Sequence, residues 1–331
     1  GTNFIVRGGT FNNNGGWRGL FNAAGMNMII SGGNFTSNGR IFGMHDSDGG
    51  GYTLTISGGT FKSTGAELIF LDGKNASKCG ITISGGDFES TGSAVVKFGN
   101  AAYGATCKIT GGTFTNPNGY IFVAAGAAIT ISTVEGTPAP VFTSGNVIFQ
   151  MSDNDVLSPV TINGGVFNAT GNGKIFLIGA SAIKRNLAGE MTNVEDDGAK
   201  KGRVTIQGGT FSSEFGAAIE YTTIYNLAQV TITADGDFTA CKVPLKMCTD
   251  SQLTGIELLT AGCIATNTFH MLTPAADGSS TSSVAGTTWY KDVEALWNNL
   301  DNSYEDGEIT LLADQNYAID LTGHNFYAVV H

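Results

Sequence analysis

One element recurs through most of this 331-residue chain and limits its fold more than anything else: a short alternating run, then Gly-Gly-x-Phe. It stands as Gly8-Gly9-Thr10-Phe11, Gly32-Gly33-Asn34-Phe35, Gly58-Gly59-Thr60-Phe61 and Gly85-Gly86-Asp87-Phe88. It continues as Gly111-Gly112-Thr113-Phe114, Gly164-Gly165-Val166-Phe167 and Gly208-Gly209-Thr210-Phe211, with degenerate copies ending at Phe142 and Phe238. The unit is roughly 26 residues long, and the interval from Phe167 to Phe211 is one such unit plus about 18 residues.

Each unit holds the same parts. An alternating run such as Thr53-Leu54-Thr55-Ile56 reads as a strand with one buried face. The Gly-Gly pair supplies a sharp turn with positive φ, and the Phe begins a second strand. A polar turn such as Ser63-Thr64-Gly65 follows, then a more apolar strand such as Leu68-Ile69-Phe70-Leu71, then a variable loop. A unit this small cannot bury its own apolar face, so the units must stack in register. The pattern predicts an all-β fold: a right-handed parallel β-helix (solenoid) of about nine to ten coils, with a short C-terminal helix-plus-strands capping unit. Phe and Ile columns, the latter Ile30, Ile56, Ile83, Ile109, Ile131, Ile162, Ile206 and Ile232, should point inward. Propeller and leucine-rich periods do not fit, and an antiparallel sandwich would show no strict repeat.

The run Leu-Thr-Ile-Ser-Gly-Gly-Thr-Phe at 54–61 and its copies resemble the repeats of large pectate-lyase-like β-helix surface proteins secreted by gut-type Gram-positive bacteria. The resemblance covers most of residues 1–270. It implies an extracellular or cell-surface location and an adhesin-like role, and says little of activity.

Composition excludes several classes. Apolar residues make up 41% and charged residues 14%, too apolar for an acidic disordered tail. Gly is 48 and Pro 6 without a Gly-X-Y period, so collagen is out. A net charge of −11 gives no electrostatic reason to seek nucleic acid or anionic lipid, and no apolar run is long enough to cross a bilayer, so no membrane insertion is expected. Cys79, Cys107, Cys241, Cys248 and Cys263 fit no zinc spacing and read first as small buried strand residues. The chain starts mid-repeat without Met, as a processed chain or an excised fragment would.

After about residue 250 the repeat fades. Residues 1–275 read as the β-helix, with Gly255–Leu259 and Cys263–Phe269 as a last irregular coil. Residues 276–286 read as a flexible Ser/Thr/Gly linker, and 287–331 as a helix-strand cap or the start of a following β-helix. Asp292–Leu300 has the period of an amphipathic helix, and strands are expected at Ile309–Leu312, Tyr317–Leu321 and Phe326–Val330. The stretch Asp306–Leu312 also resembles an element that opens a new β-helix in the same surface proteins. These features suggest end-to-end assembly into a filament: Trp297, Ile309, Leu311, Tyr317, Ile319, Phe326 and Val329 of one chain would complete the first coil, Phe4, Ile5 and Val6, of the next. The rival is one longer polypeptide whose next β-helix begins here.

Chemistry is sparse in the motifs. Glycoside hydrolysis needs two carboxylates facing each other, and coil spacing sets Asp72 beside Gly99, Asp87 beside Thr60 and Thr113, and Glu89 beside Lys62 and Thr115, with Glu220 alone. No nucleophile motif is present, so no hydrolase or lyase activity is expected of this chain alone. Asp46, Asp48, Asp153 and Asp155 lie in Asp-rich loops that read first as polar turns and second as calcium ligands; no other cofactor is expected. Tyr52, Tyr103 and Tyr120 fall in successive coils and would be an aromatic platform for a glycan, or core packing. The insertion Ala182–Arg203 carries the densest charge and reads as a contact loop or a tolerated decoration. The expected function is an extracellular structural or adhesin-like module, whose partners are itself head to tail, other domains of a longer surface protein, or a glycan. The alternative is a carbohydrate-binding or carbohydrate-cleaving β-helix.

Overall fold

The computed structural model describes residues 2–14, 19–22, 26–46, 51–73, 78–99, 104–124, 126–151, 159–178, 183–185, 191–193, 203–221, 229–247, 253–259, 263–273, 280–292, 294–296 and 308–311. It is a parallel β-solenoid with three strands per coil. The first column runs from Thr2–Val6 through Met26–Ile30, Thr53–Ile56 and Gln229–Ile232 to the short Leu253–Thr254. The second begins at Thr10–Asn13, Asn34–Ser37 and Thr60–Ser63. The third begins at Phe21–Asn22, Phe42–Asp46 and Ile69–Gly73. Neighbouring coils pair in parallel and in register, Ile83 with Ile56 and Ile109, Phe88 with Phe61 and Phe114.

The inward columns are the expected ones. Ile30, Ile56, Ile83, Ile109, Ile131, Ile162, Ile206 and Ile232 are buried. The rings of Phe11, Phe35, Phe61, Phe88, Phe114, Phe142, Phe167, Phe211 and Phe238 stack one on the next, with centroids 4.3 to 5.0 Å apart. That spacing follows from the ~4.8 Å between hydrogen-bonded strands. The degenerate copy at Phe142 takes its place between Phe114 and Phe167. A third inward column, Phe42, Ile69, Val96, Phe122, Phe149, Phe176, Ile219 and Leu245, closes the triangle.

The two glycines of each pair do different work. The second takes a positive φ, as at Gly59 (114°) and Gly86 (112°), which a Cβ would strain. The first lets the coils approach: a Cβ on Gly58 would lie 2.9 Å from the Ser31 carbonyl oxygen, and one on Gly85 2.7 Å from that of Ser57. In the later coils the pair bends one continuous strand, as in Gly80–Ser90 and Thr106–Asn116.

A buried polar column lines the next corner: Ser37, Ser63, Ser90, Asn116, Ser144 and Ser213. These side chains tie turn to turn. The Ser63 hydroxyl donates to the Gly39 carbonyl at 2.6 Å and that of Ser144 to Gly119 at 2.9 Å, while Asn116 Nδ2 donates to Gly92 at 3.1 Å. Most polar atoms at this corner, where the backbone leaves the ladder, are thus satisfied; the buried Ser213 hydroxyl is the exception.

The C-terminal end departs from the sequence reading. The strand Cys263–Thr273 forms an antiparallel hairpin with Ser280–Tyr290, instead of a last coil. Residues 280–286 of the expected linker are therefore strand. Ser/Thr/Gly composition suggested flexibility, but a Thr- and Val-bearing segment next to a strand of equal length finds its ladder partner locally. Leu245, Lys246 and Met247 of the last coil pair antiparallel with Trp289, Thr288 and Thr287. Trp289 and Leu259 are buried in the main core, covering its end, beside a short 3-10 turn at Ile256–Leu258. Asp292 caps the expected helix, its Oδ1 accepting from the Ala295 N–H at 2.7 Å, and Ala295 and Leu296 pack with Tyr290 against Ala217 and Val243.

Candidate functional site

Between the third strand of each coil and the first strand of the next runs the connection that varies most in length. It spans only 124–127 between Tyr120–Val123 and Ala128–Ile131, and 179–202 between Lys174–Ile178 and Arg203–Tyr221. The largest length changes therefore leave the solenoid at this corner, while the connection between first and second strands lengthens markedly once, from 31–33 in an early coil to 132–140 in a later one. Within the longest connection, Ile183–Arg185 and Met191–Asn193 pair antiparallel as a separate two-stranded sheet.

The outer face of the third sheet, at the end where its strands begin, carries the best-defined charge cluster. Glu67 precedes Leu68–Leu71 and is buried, 6% exposed. Arg40 Nε of the preceding coil lies 2.9 Å from Glu67 Oε2, and Lys97 Nζ of the following coil 3.0 Å from Oε1. The Arg40 guanidinium also sits 3.9 Å over the Phe70 ring, a cation–π contact. Burial pushes the Glu67 carboxyl up; hydrogen bonds from its own backbone N–H, Lys97 and Arg40, with the attraction of Arg40, outweigh that, so it titrates below the usual value. A carboxylate clamped between two cations is held ionised. It is the opposite of a raised-pKa general acid. Further along the same face Lys174 and Glu220 lie 3.4 Å apart, so Glu220 is not the isolated acid that the sequence suggested.

The other candidates fall as follows. Glu89 pairs with Lys62 at 2.8 Å, and Asp87 Oδ1 accepts from the Thr113 hydroxyl at 2.5 Å, both at the expected coil register. Asp72 lies beside Gly99, where a Cβ would come 2.5 Å from the Asp72 Cγ. Tyr52 is core: it is buried and its hydroxyl donates to the Met44 carbonyl at 2.7 Å, so it offers no surface platform. Tyr120 is half-buried at the start of its strand, and Tyr103 lies outside the described residues. Of the calcium candidates, Asp46 ends the strand Phe42–Asp46, while Asp48, Asp153 and Asp155 lie outside the described residues. No group of three or more His, Cys, Asp or Glu able to hold a metal occurs among the described residues.

Of the assembly residues, Phe4, Ile5 and Val6 form the first rung; Phe4 and Ile5 are exposed and Val6 is buried. Ile309 and Leu311 pair antiparallel with Ala265 and Cys263 of their own chain. Trp297, Tyr317, Ile319, Phe326 and Val329 lie outside the described residues. Cys79, Cys107 and Cys241 are buried, and burial pushes the thiols of Cys107 and Cys241 up to about 12, which makes them unreactive.

The Arg40–Glu67–Lys97 cluster escaped the sequence reading because its members sit at turns and strand edges, outside the repeated motif. The signal was there: successive members are one coil apart, with alternating charge.

No known protein family, curated protein or solved structure matches the chain. Among the described residues no helix is long and apolar enough to cross a membrane.

Proposed function

We propose that the chain is an extracellular, adhesin-like scaffold whose coils hold a row of variable connections along one corner. One observation carries the reading. The repeated residues face inward, while the variation in length is by far the largest at one corner of the coil, from 124–127 to 179–202. A solenoid that keeps its cross-section constant and lets one row of loops diverge is built for display. The location follows from the resemblance of the Ile-Ser-Gly-Gly-Thr-Phe repeats to surface proteins. The partners that suit it are glycans of a host or neighbouring cell and other domains of a longer surface protein.

A glycan panel scored for both binding and cleavage tests the reading. Binding without cleavage is expected, lost when residues 182–202 are replaced by a four-residue connection like 124–127, with the thermal unfolding midpoint unchanged. Release of reducing ends or unsaturated products, abolished by one Asp or Glu substitution, would replace the scaffold with a glycosidase or polysaccharide lyase.

A further inference from the structure

The inward columns stabilise the stack but do not say which coil belongs on which. Phe on Phe and Ile on Ile would fit equally well with one coil looped out of the stack. Residues that do not repeat tell the right neighbour from the wrong one. The ion pairs Arg40–Glu67, Lys97–Glu67, Lys62–Glu89 and Lys174–Glu220 each join one coil to the next. The first two share one carboxylate, 8% exposed, and Arg40 is only 12% exposed. Buried, non-repeating charges of this kind specify register in other repetitive assemblies, because a misplaced partner strands a charge in the interior.

We propose that the Arg40–Glu67–Lys97 cluster is a register lock for the N-terminal coils, and that acid releases it. Its backbone placement suits the role. The Leu20 N–H of the first coil donates to the Arg40 carbonyl at 3.0 Å, Ile41 N–H to Leu68 at 3.0 Å, and Leu68 N–H to Ala94 at 3.0 Å. The lock thus joins three successive coils, and the Leu20 bond to Arg40 ties the first coil to it. The charged groups facing Glu67 are Arg40 from the preceding coil and Lys97 from the following one. Protonation of Glu67 leaves those two cations side by side, with the Arg40 head still pressed on the Phe70 ring. The sign is fixed by the lowered carboxyl: the stabilisation is complete above the ordinary carboxylate range and is lost as pH falls through the lowered value. In a stack held only by nearest neighbours, weakening one interface near an end frees the coils on the short side first.

Amide hydrogen exchange of the full chain, read by mass spectrometry at about pH 7 and about pH 3 and corrected for intrinsic rates, tests this. In the unaltered protein, protection over residues 2–46 should fall about tenfold or more in acid, while that over 160–178 changes much less. Glu67→Gln should show the low N-terminal protection already at neutral pH and little further change in acid. Should that variant fail to fold, Lys97→Met, which removes the more exposed arm, should show a smaller loss at neutral pH in the same segment. Loss of protection spread evenly along the solenoid in acid, or a folded Glu67→Gln or Lys97→Met protein with the unaltered protein's exchange at both pH values, would overturn the lock.

Discussion

The stack from Thr2 to Met247 and the segment from Cys263 to Leu311 are both mostly strand, yet they close their hydrogen bonds in opposite ways. In the stack every strand pairs in parallel with its counterpart one coil away, and the partner is fixed by repetition. In the C-terminal segment each strand pairs antiparallel: Ser280–Tyr290 with Cys263–Thr273, and Cys263–Thr266 with Glu308–Leu311. The contrast has a physical root. A parallel stack always ends in a rung with one bare edge and an open core, and adding another identical rung only moves the problem. A strand of reversed direction, such as Thr287–Trp289 on Leu245–Met247, ends the series, because the next parallel coil finds no matching edge there. Trp289 and Leu259 then cover the core that the Phe and Ile columns leave open.

Four substitutions sharpen this comparison. Phe88→Ala, in the middle of the stack, removes a ring sandwiched between Phe61 and Phe114, and should lower the unfolding free energy by about 3–5 kcal/mol in a denaturant titration. Trp289→Ala, at the closed end, deletes as large a side chain from a place that can relax, and should cost about 2–3 kcal/mol, the lower part of the large-to-small range. Its distinguishing mark would be concentration-dependent association by light scattering, as the Leu245–Met247 edge loses its partner. A Trp289→Ala protein that stays monomeric at high concentration would mean that the reversed strand does not guard the edge. Gly85→Ala places a methyl 2.7 Å from a carbonyl oxygen of the coil before and should cost about 1–3 kcal/mol by overpacking. Gly8→Ala is the same position of the repeat with nothing within 4 Å, and should change the denaturant midpoint by less than about 0.5 kcal/mol equivalent. Equal effects at Gly8 and Gly85 would show that the glycine serves the turn rather than the approach of coils.

The stack was legible in the sequence for the reason that makes it stable. Each Phe at a Gly-Gly-x-Phe step reports the same cross-section, so spacing alone assigned strands, register and inward face, even for the degenerate copy at Phe142. Single-copy features carry no such reinforcement. Ser280–Gly286 has the composition of a linker and becomes a strand because Asn267–Thr273 lies within hairpin reach, a tertiary fact. Arg40, Glu67 and Lys97 carry no signal one at a time, because each, seen in its own coil, is one polar residue outside the repeated motif. Only stacking the coils brings them to 3 Å. A loop aromatic next to Gly51 is compatible with packing or with display, and the hydroxyl of Tyr52, donating to the Met44 carbonyl, makes it packing.

The placement of the largest length changes at one corner has a consequence for how such a chain can be altered over time. An insertion in a bundle or sandwich must thread past neighbouring elements, whereas here the coil before and the coil after keep phase whatever is added between them. The connection at 179–202 holds its own small hairpin, yet Phe211 still stacks on Phe167 at 4.9 Å. Each coil is thus an independent address on a ruled scale, about 4.8 Å per mark. New sequence can be tried at one address without renegotiating the others, and two appended segments will sit at a separation set by how many coils lie between them.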